Sequence, residues 1–241
     1  MLAAWGITTE GRPVLVGLAP GSSESTDAWS GFLDGMVGRG LRAPLLVISD
    51  GAPGLIAAVE LVFPHSLRQR CLIHRARNIL AKVPVEHQGE VKAAFWGIFD
   101  GIEAPSGDAA VALARNRAVA FERRYSAPFP AAVECLMADF SSLTTYLRFP
   151  TGHHPRIRHS NFIERTFGET RRRVKVIGRL PGERTCLGLV WAVLDRASRG
   201  WRGVVMTPMA VRQLQELRRQ LFPQPTEEVT TRINDTVSPA A

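Results

Sequence analysis

Hydrophobic positions in the first third of the chain come in short runs. Leu2–Thr8 and Pro13–Ala19 flank Thr9-Glu10-Gly11-Arg12, a turn-like stretch with a glycine, which predicts an antiparallel hairpin. Within Ser25–Gly38, Trp29, Phe32, Leu33, Met36 and Val37 recur at helical spacing, and Gly38 and Gly40 can end that helix. Pro44–Ser49 is a continuous apolar run before Asp50-Gly51, the pattern of a buried strand. Gly54–Val62 reads as a helix stopped by Pro64, Leu67–Ile73 as a further strand, and His74–Lys82 as a basic helix. Strands alternating with helices predict an α/β sheet.

The texture changes after Pro84. Residues 86–148 show helical spacing without strand-like runs, broken at Pro105, Gly107, Pro128 and Pro130, which predicts a block of about three helices. His153-His154-Pro155 is expected to end it. A basic helix from about Asn161 to Arg173, an apolar helix over Cys186–Ala197 and an amphipathic one over Met209–Leu221 follow. The polar tail after Phe222 carries Pro223, Pro225 and Pro239 and is expected to be disordered.

Composition narrows the class. No run of eighteen apolar residues appears, so no membrane-spanning helix is expected. The first six residues lack the charged start and apolar stretch of a secretory signal. Three scattered cysteines, Cys71, Cys135 and Cys186, make no disulfide framework, so a reducing, cytosolic setting is expected.

The formal net charge is +8, and its placement is more informative than its size. Residues 61–85 hold five basic residues and no acid, and residues 156–184 hold nine basic against three acidic. Residues 1–60, by contrast, carry three basic and six acidic. Charge runs on ordinary solvated helix faces mix signs; these scarcely do, which favours a polyanion such as nucleic acid as partner. Arg68, Arg70, Arg75 and Arg77 from the first segment, with Arg165, Arg171, Arg172, Arg173 and Lys175 from the second, are the expected phosphate-contacting residues.

Three places carry candidate chemistry. Asp50 follows a predicted buried strand, at the sheet edge where α/β proteins bind ligands and metals, although an Asp there can equally cap a helix or make a turn. Glu164 and Glu169 lie among arginines, where a carboxylate can ligate a metal. Asn161 and Glu164 are also spaced as a capping box, and Glu169 can pair with Arg165 or Arg172 along a helix. Cys71 and His74 have metal-ligand types, but zinc takes four ligands and no second pair has matching spacing. A packed cysteine beside a polar histidine is the better reading.

Four segments taken together resemble the transposases of bacterial insertion sequences in the mutator family, relatives of the plant mutator-like transposases within the Asp-Asp-Glu group. They are Ser-Glu-Ser-Thr-Asp-Ala-Trp-Ser-Gly-Phe-Leu (23–33), Val-Ile-Ser-Asp-Gly-Ala-Pro-Gly-Leu (47–55), Arg-Gln-Arg-Cys-Leu-Ile-His-Arg-Ala-Arg-Asn-Ile-Leu (68–80) and Asn-Phe-Ile-Glu-Arg-Thr-Phe-Gly-Glu-Thr-Arg-Arg-Arg (161–173). No single segment would suffice; their order, from residue 1 to about 205, carries the resemblance. It implies a ribonuclease H-like α/β core with an all-helical insertion. Residues 1–85 would form the first part of the core, 86–155 the insertion, 156–221 the C-terminal helical part bearing the catalytic Glu, and 222–241 the tail.

The resemblance places the family's second catalytic Asp on Asp50, its Glu on Glu164, and its Cys-x-x-His element, of uncertain role, on Cys71 and His74. It implies Mg²⁺-dependent cleavage and strand transfer of DNA phosphodiesters at element ends, in a two-metal site built from carboxylates because Mg²⁺ prefers oxygen ligands. The family's first Asp belongs to a strand before Leu2–Thr8 and has no match in these residues. The core is therefore expected to lack its first strand, the metal site to be incomplete, and the activity of this chain alone to be impaired. The other reading is an inactive DNA-binding remnant that interferes with a full-length transposase. Implied partners are transposon-end and target DNA and further copies of the chain or a full-length transposase, in a cytoplasmic, nucleoid-associated location.

Overall fold

The computed structural model describes residues 1–21, 23–104, 107–160, 167–168, 172 and 182–223. Strands β1 (Leu2–Ile7) and β2 (Pro13–Ala19) form the expected antiparallel hairpin, from Leu2 opposite Ala19 to Ile7 opposite Pro13, with an irregularity between Ala4 and Trp5. Its turn is closed by Thr8, whose backbone N–H donates to the Arg12 carbonyl at 2.8 Å and whose hydroxyl accepts from the Arg12 N–H at 3.2 Å. Helix α1 (Thr26–Gly38) follows, with the Ser25 hydroxyl accepting from the Ala28 N–H as its N-cap.

Strand β3 (Leu46–Ser49) then pairs in parallel with β4 (Leu67–Arg70), and helix α2 (Pro53–Val62) forms the crossover. Pro53 opens α2, where a missing N–H costs nothing. The β strands differ from the expected continuous sheet. Among the described residues they form two separate two-stranded sheets in a mostly helical α/β chain. The layer of α1 and α2 joins the two pairs, since Leu2, Phe32, Met36, Ala58, Val59 and Phe63 share one core into which Val16 and Val47 also pack. Alternation along β3 sends Leu46 and Ile48 to the opposite core, so this strand is covered on both faces, as its unbroken apolar run predicts.

Strand β4 is shorter than expected. It stops at Arg70 because its partner β3 stops at Ser49, and Leu72 instead begins helix α3 (Leu72–Leu80). The spacing Leu72, Ala76, Ile79 turns one side of α3 into the larger core. The helical block comprises α4 (Gln88–Phe99), α5 (Gly107–Tyr125), α6 (Pro130–Met137) and a short α7 (Phe140–Thr144). Against about three helices expected, the described residues give these four, with 3-10 turns at Thr145–Arg148 and Thr151–His153 in addition. His153-His154-Pro155 does not end it: α8 (His154–Ile157) runs through these residues, with proline tolerated in its first turn. Helices α9 (Glu183–Ser198) and α10 (Pro208–Leu221) match the two C-terminal expectations to within a few residues. The expected helix over 161–173 and the tail beyond Pro223 lie outside the described residues, apart from Phe167, Gly168 and Arg172, which are helical.

A buried polar side chain ties the parallel pair to the helical block. Gln69, wholly buried on β4, donates through Nε2 to the carbonyls of Arg70 and Leu143 and accepts from the Tyr146 N–H at 2.8 Å. Tyr146 in turn donates its hydroxyl to the Phe99 carbonyl at 3.3 Å. Burial pushes the Tyr146 phenol up to about 12. A raised pKa in the folded state means that the protonated form is favoured there. Its stabilisation is therefore complete below the unfolded value near 10 and lost as pH rises toward 12. Alkaline unfolding should show a drop on the order of 2–3 kcal/mol across that window, and the Tyr146→Phe protein should lack it. Parallel pH profiles of urea midpoints for the two proteins provide the check.

Candidate active site

Two parallel strands ending together create the site. Ser49 lies opposite Arg70 at the carboxyl ends of β3 and β4, so the next residue on each strand, Asp50 and Cys71, leaves the sheet at the same edge. Asp50 is exposed. Its Oδ1 accepts from the Ala52 N–H at 3.1 Å, the local turn that short acidic side chains make, and Oδ2 has no hydrogen bond within the described residues. The turn-forming and metal-binding readings of this aspartate are thus compatible, because one oxygen shapes the loop and the other has no hydrogen bond among the described residues.

The Asp-Gly-Ala-Pro-Gly stretch has a steric explanation. Gly51 has φ +89°, and a Cβ there would fall 2.0 Å from the Arg70 Cζ. Arg70 lies across this glycine and donates to its carbonyl at 3.4 Å. On the other side, a Cβ on Gly54 would fall 2.4 Å from the Glu24 carbonyl. The loop bearing Asp50 is therefore clamped between the Arg70 guanidinium and the backbone before α1. Burial lowers the pKa of Arg70, and the nearby positive charge of Arg75 acts in the same direction. A Gly51→Ala protein should lose about 1–2 kcal/mol from the left-handed backbone alone, plus the cost of displacing Arg70. Thermal melting checks this, with Gly31→Ala at an exposed position of α1, where a Cβ meets nothing within 4 Å, as the control.

The other basic residues of β4 and α3 divide sharply. Arg68 makes a two-pronged ion pair with Asp139, at 3.0 and 3.3 Å. Burial acts to raise the Asp139 pKa, but Arg68, with Ser142 and the charge of Arg75 acting in the same direction, offsets it, and the carboxyl stays below its ordinary value. Arg75, expected on a phosphate-contacting surface, is instead buried on α3, where its guanidinium donates to the Cys135 carbonyl. Its helix position explains this, since it shares a face with Leu72, Ala76 and Ile79. Arg77 lies on the exposed side of α3, and Arg172 is exposed as well. Arg165, Arg171, Arg173, Lys175, Glu164 and Glu169 lie outside the described residues.

Cys71 is fully buried with a free thiol. Its N–H donates to the Ser49 carbonyl at 2.8 Å, and its Sγ accepts from the Ser160 N–H at 3.3 Å. His74 is half-buried one turn along α3. Among the described residues no three His, Cys, Asp or Glu side chains converge as a metal cluster.

Sequence reasoning passed over Arg158, which anchors the same region. Its carbonyl accepts from the Leu72 N–H at 3.1 Å, its guanidinium bonds the Asp100 carboxylate at 2.7 Å, and its Cζ lies 5.6 Å from the Trp96 ring centre. Residues 158–160 are thereby fastened to the start of α3, beside the strand end that carries Asp50. Gln69 was also missed. Its signal was present in the alternation of β4, which puts Gln69 on the same side as apolar Leu67 and so predicts a buried amide.

Comparison with known proteins extends this picture. The family model described as "Transposase, Mutator family" matches residues 1–203. The chain is 34% identical over 215 residues to the transposase for insertion sequence element IST2 of Acidithiobacillus ferrooxidans, covering 89% of this chain and 70% of that protein. It is also 34% identical over 205 residues to the transposase for IS6120 of Mycolicibacterium smegmatis, covering 85% and 61% respectively. Against the transposase for IS256 in transposon Tn4001 of Staphylococcus aureus it is 31% identical over 192 residues, 79% of this chain and 47% of that protein. The chain thus spans between about half and seven tenths of the length of these relatives. With a match this continuous running through the Asp50 loop, the Cys71 element and the arginine-rich segment alike, the chain belongs to the Mutator family of insertion-sequence transposases.

Proposed function

We propose that this chain carries two carboxylates, Asp50 and Glu164, of a Mg²⁺-dependent centre that cleaves and joins DNA strands, on a ribonuclease H-like core interrupted by the helical block. The observation that carries the proposal is the paired hydrogen bonds of Cys71, to the Ser49 carbonyl and from the Ser160 N–H. Glu164 is four residues beyond Ser160, and four residues span at most about 14 Å. The chain leading to Glu164 thus departs from the strand edge that bears Asp50.

The residues suit the metal. Asp50 is exposed and offers a carboxylate oxygen with no hydrogen bond among the described residues, a hard donor of the kind Mg²⁺ takes, and Glu164 would supply a second. Held by these carboxylates, Mg²⁺ would supply Lewis-acid activation of an attacking hydroxyl and stabilisation of the leaving oxygen of a phosphodiester. The protein's own part is positional. The Arg70 guanidinium keeps the Asp50 loop in one shape and places a positive charge beside the carboxylate, and Arg158 fastens residues 158–160 at the start of α3. Arg77, Arg165, Arg171, Arg172, Arg173 and Lys175 would hold the DNA backbone, and a second copy of the chain would complete a synapse of element ends. Within the described residues no helix is long and apolar enough to cross a membrane. A cytoplasmic, nucleoid-associated location follows for an enzyme whose substrate is DNA.

The test is nicking and strand joining by the full chain on duplex DNA with Mg²⁺ or Mn²⁺, against the Asp50→Asn and Glu164→Gln proteins. Activity lost in both variants with DNA binding retained supports the reading. Metal-dependent cleavage that persists at the wild-type rate in either variant overturns the catalytic assignment.

A further inference from the structure

A recess of about 330 Å³ opens on the helical block beside β4, and its charge-bearing walls are three arginines: Arg68 from β4, Arg115 from α5 and Arg148 after α7. Val111 and the Phe140 ring supply apolar lining. We infer that this recess seats a backbone phosphate of DNA, a contact separate from the carboxylate centre, and resting on the transposase reading above.

The three guanidiniums are not equivalent, and the differences favour an anionic occupant. Arg68 is held rigid by Asp139, so its charge is largely offset but its position is set. Arg115 is exposed and makes no hydrogen bond or ion pair within the described residues. Arg148 approaches Asp108 only at 3.9 Å, with both side chains well exposed, a pairing that water and salt screen almost completely. Two cations therefore face the recess with little to neutralise them. Three of the four hydroxyls around it are already engaged. Thr144 and Thr145 donate back to the Ser141 carbonyl, and Ser142 donates to the Asp139 carbonyl. Charge recognition falls to the arginines, whose planar donors match phosphate oxygens.

Placement argues for DNA rather than a small phosphate compound. Arg68 and Arg70 are two residues apart on one face of β4, about 6.6 Å along the strand. Arg70 borders the Asp50 loop and Arg68 borders the recess. The recess and the proposed reaction centre are thus consecutive stations along one strand, as a continuous backbone of phosphates would need.

The experiment measures binding of the full chain to a fluorescent duplex of about 30 random base pairs across a salt series. The Arg115→Ala/Arg148→Ala double variant should bind at least about tenfold more weakly at low salt. Its log–log salt slope should be shallower by about 1.8, the share of two phosphate contacts. The Arg115→Lys/Arg148→Lys variant, which keeps the charge, should retain most of the slope, and unchanged melting of both variants excludes misfolding. An Ala variant with wild-type slope, while the wild type binds duplex, overturns this inference and leaves the transposase reading intact. A wild-type chain that binds no duplex overturns both. ATP binding that depends on Arg115 and Arg148 while the duplex slope is unaffected would assign the recess to small phosphate compounds and overturn the DNA contact.

Discussion

Replacing Gln69 with leucine is expected to lower the unfolding free energy by about 3–5 kcal/mol, out of a typical total of about 5–15 kcal/mol. The side chain has no exposure, and its amide satisfies the Leu143 carbonyl, the Tyr146 N–H and the Arg70 carbonyl together. Leucine fills a similar volume, so little cavity is created. The cost comes from three backbone groups left without partners where water does not reach, at about 1–3 kcal/mol for each fully desolvated group. Relaxation around the Arg70 carbonyl, at the sheet edge, brings the total toward the lower part of that range. Urea unfolding gives the measurement, and a Gln69→Leu protein within 1 kcal/mol of wild type would show that these groups find other partners. Because Gln69 is the polar link between the parallel pair and the turn at Thr145–Arg148, the loss should appear as earlier release of the helical block. Hydrogen exchange at the Tyr146 amide should accelerate more than at α1, which belongs to the other core.

Asp50→Asn should reduce metal-dependent DNA cleavage by a factor on the order of 10²–10³ or more, the scale on which one preorganised electrostatic group acts. Asparagine can still accept from the Ala52 N–H, so the turn is preserved and the Gly51–Arg70 packing is undisturbed. The substitution removes charge and leaves shape, and melting temperature and duplex affinity should remain at wild-type values. Single-turnover cleavage with Mg²⁺ and Mn²⁺ is the readout. Cleavage at wild-type rate by the Asn protein would remove Asp50 from the centre altogether. Asp50→Ala should cost stability as well, since the turn then loses its acceptor, and comparing the two separates the structural share of this residue from the chemical one.

The secondary structure of the first seventy residues was legible because its signals are local. The hairpin follows from two apolar runs around a glycine turn, and β3 from an apolar run that ends at Asp50-Gly51. The end of β4 was not legible, because apolar Leu72 and Ile73 suit a strand as well as a helix. What decides between them is the length of β3, a partner more than twenty positions away. The separation of the strands into two pairs was hidden for the same reason, since pairing between strands leaves no mark on the composition of either one.

Candidate chemistry was unevenly visible. Asp50 could be found from position, after a buried strand and before a glycine, and the structure puts it at the shared strand edge. Net charge located the basic segments but could not sort their members. Arg75 and Arg77 look alike in sequence, yet two positions along a helix turn one into the core and the other to solvent. Cys71 raised the question of metal binding through its type and its spacing to His74. Its observed bonds instead make it a junction between β3 and the chain leaving α8, a role that depends on contacts across eighty-nine positions of sequence.

The two ends of the stretch carrying Glu164 are both fastened. Ser160 is bonded to Cys71 at one end, and at the other α9 packs on β2, with Trp201 edge-on to Trp5 at 5.6 Å and the Val204 N–H bonded to the Gly11 carbonyl. For the proposed pairing of Asp50 with Glu164, anchoring of this kind would turn an encounter into a matter of effective concentration. A group four residues from an anchor is confined near that anchor at a local concentration in the millimolar range or higher. Acetate offered to a chain lacking the Glu164 carboxylate would have to match that concentration before it could stand in for it, and would still arrive without orientation.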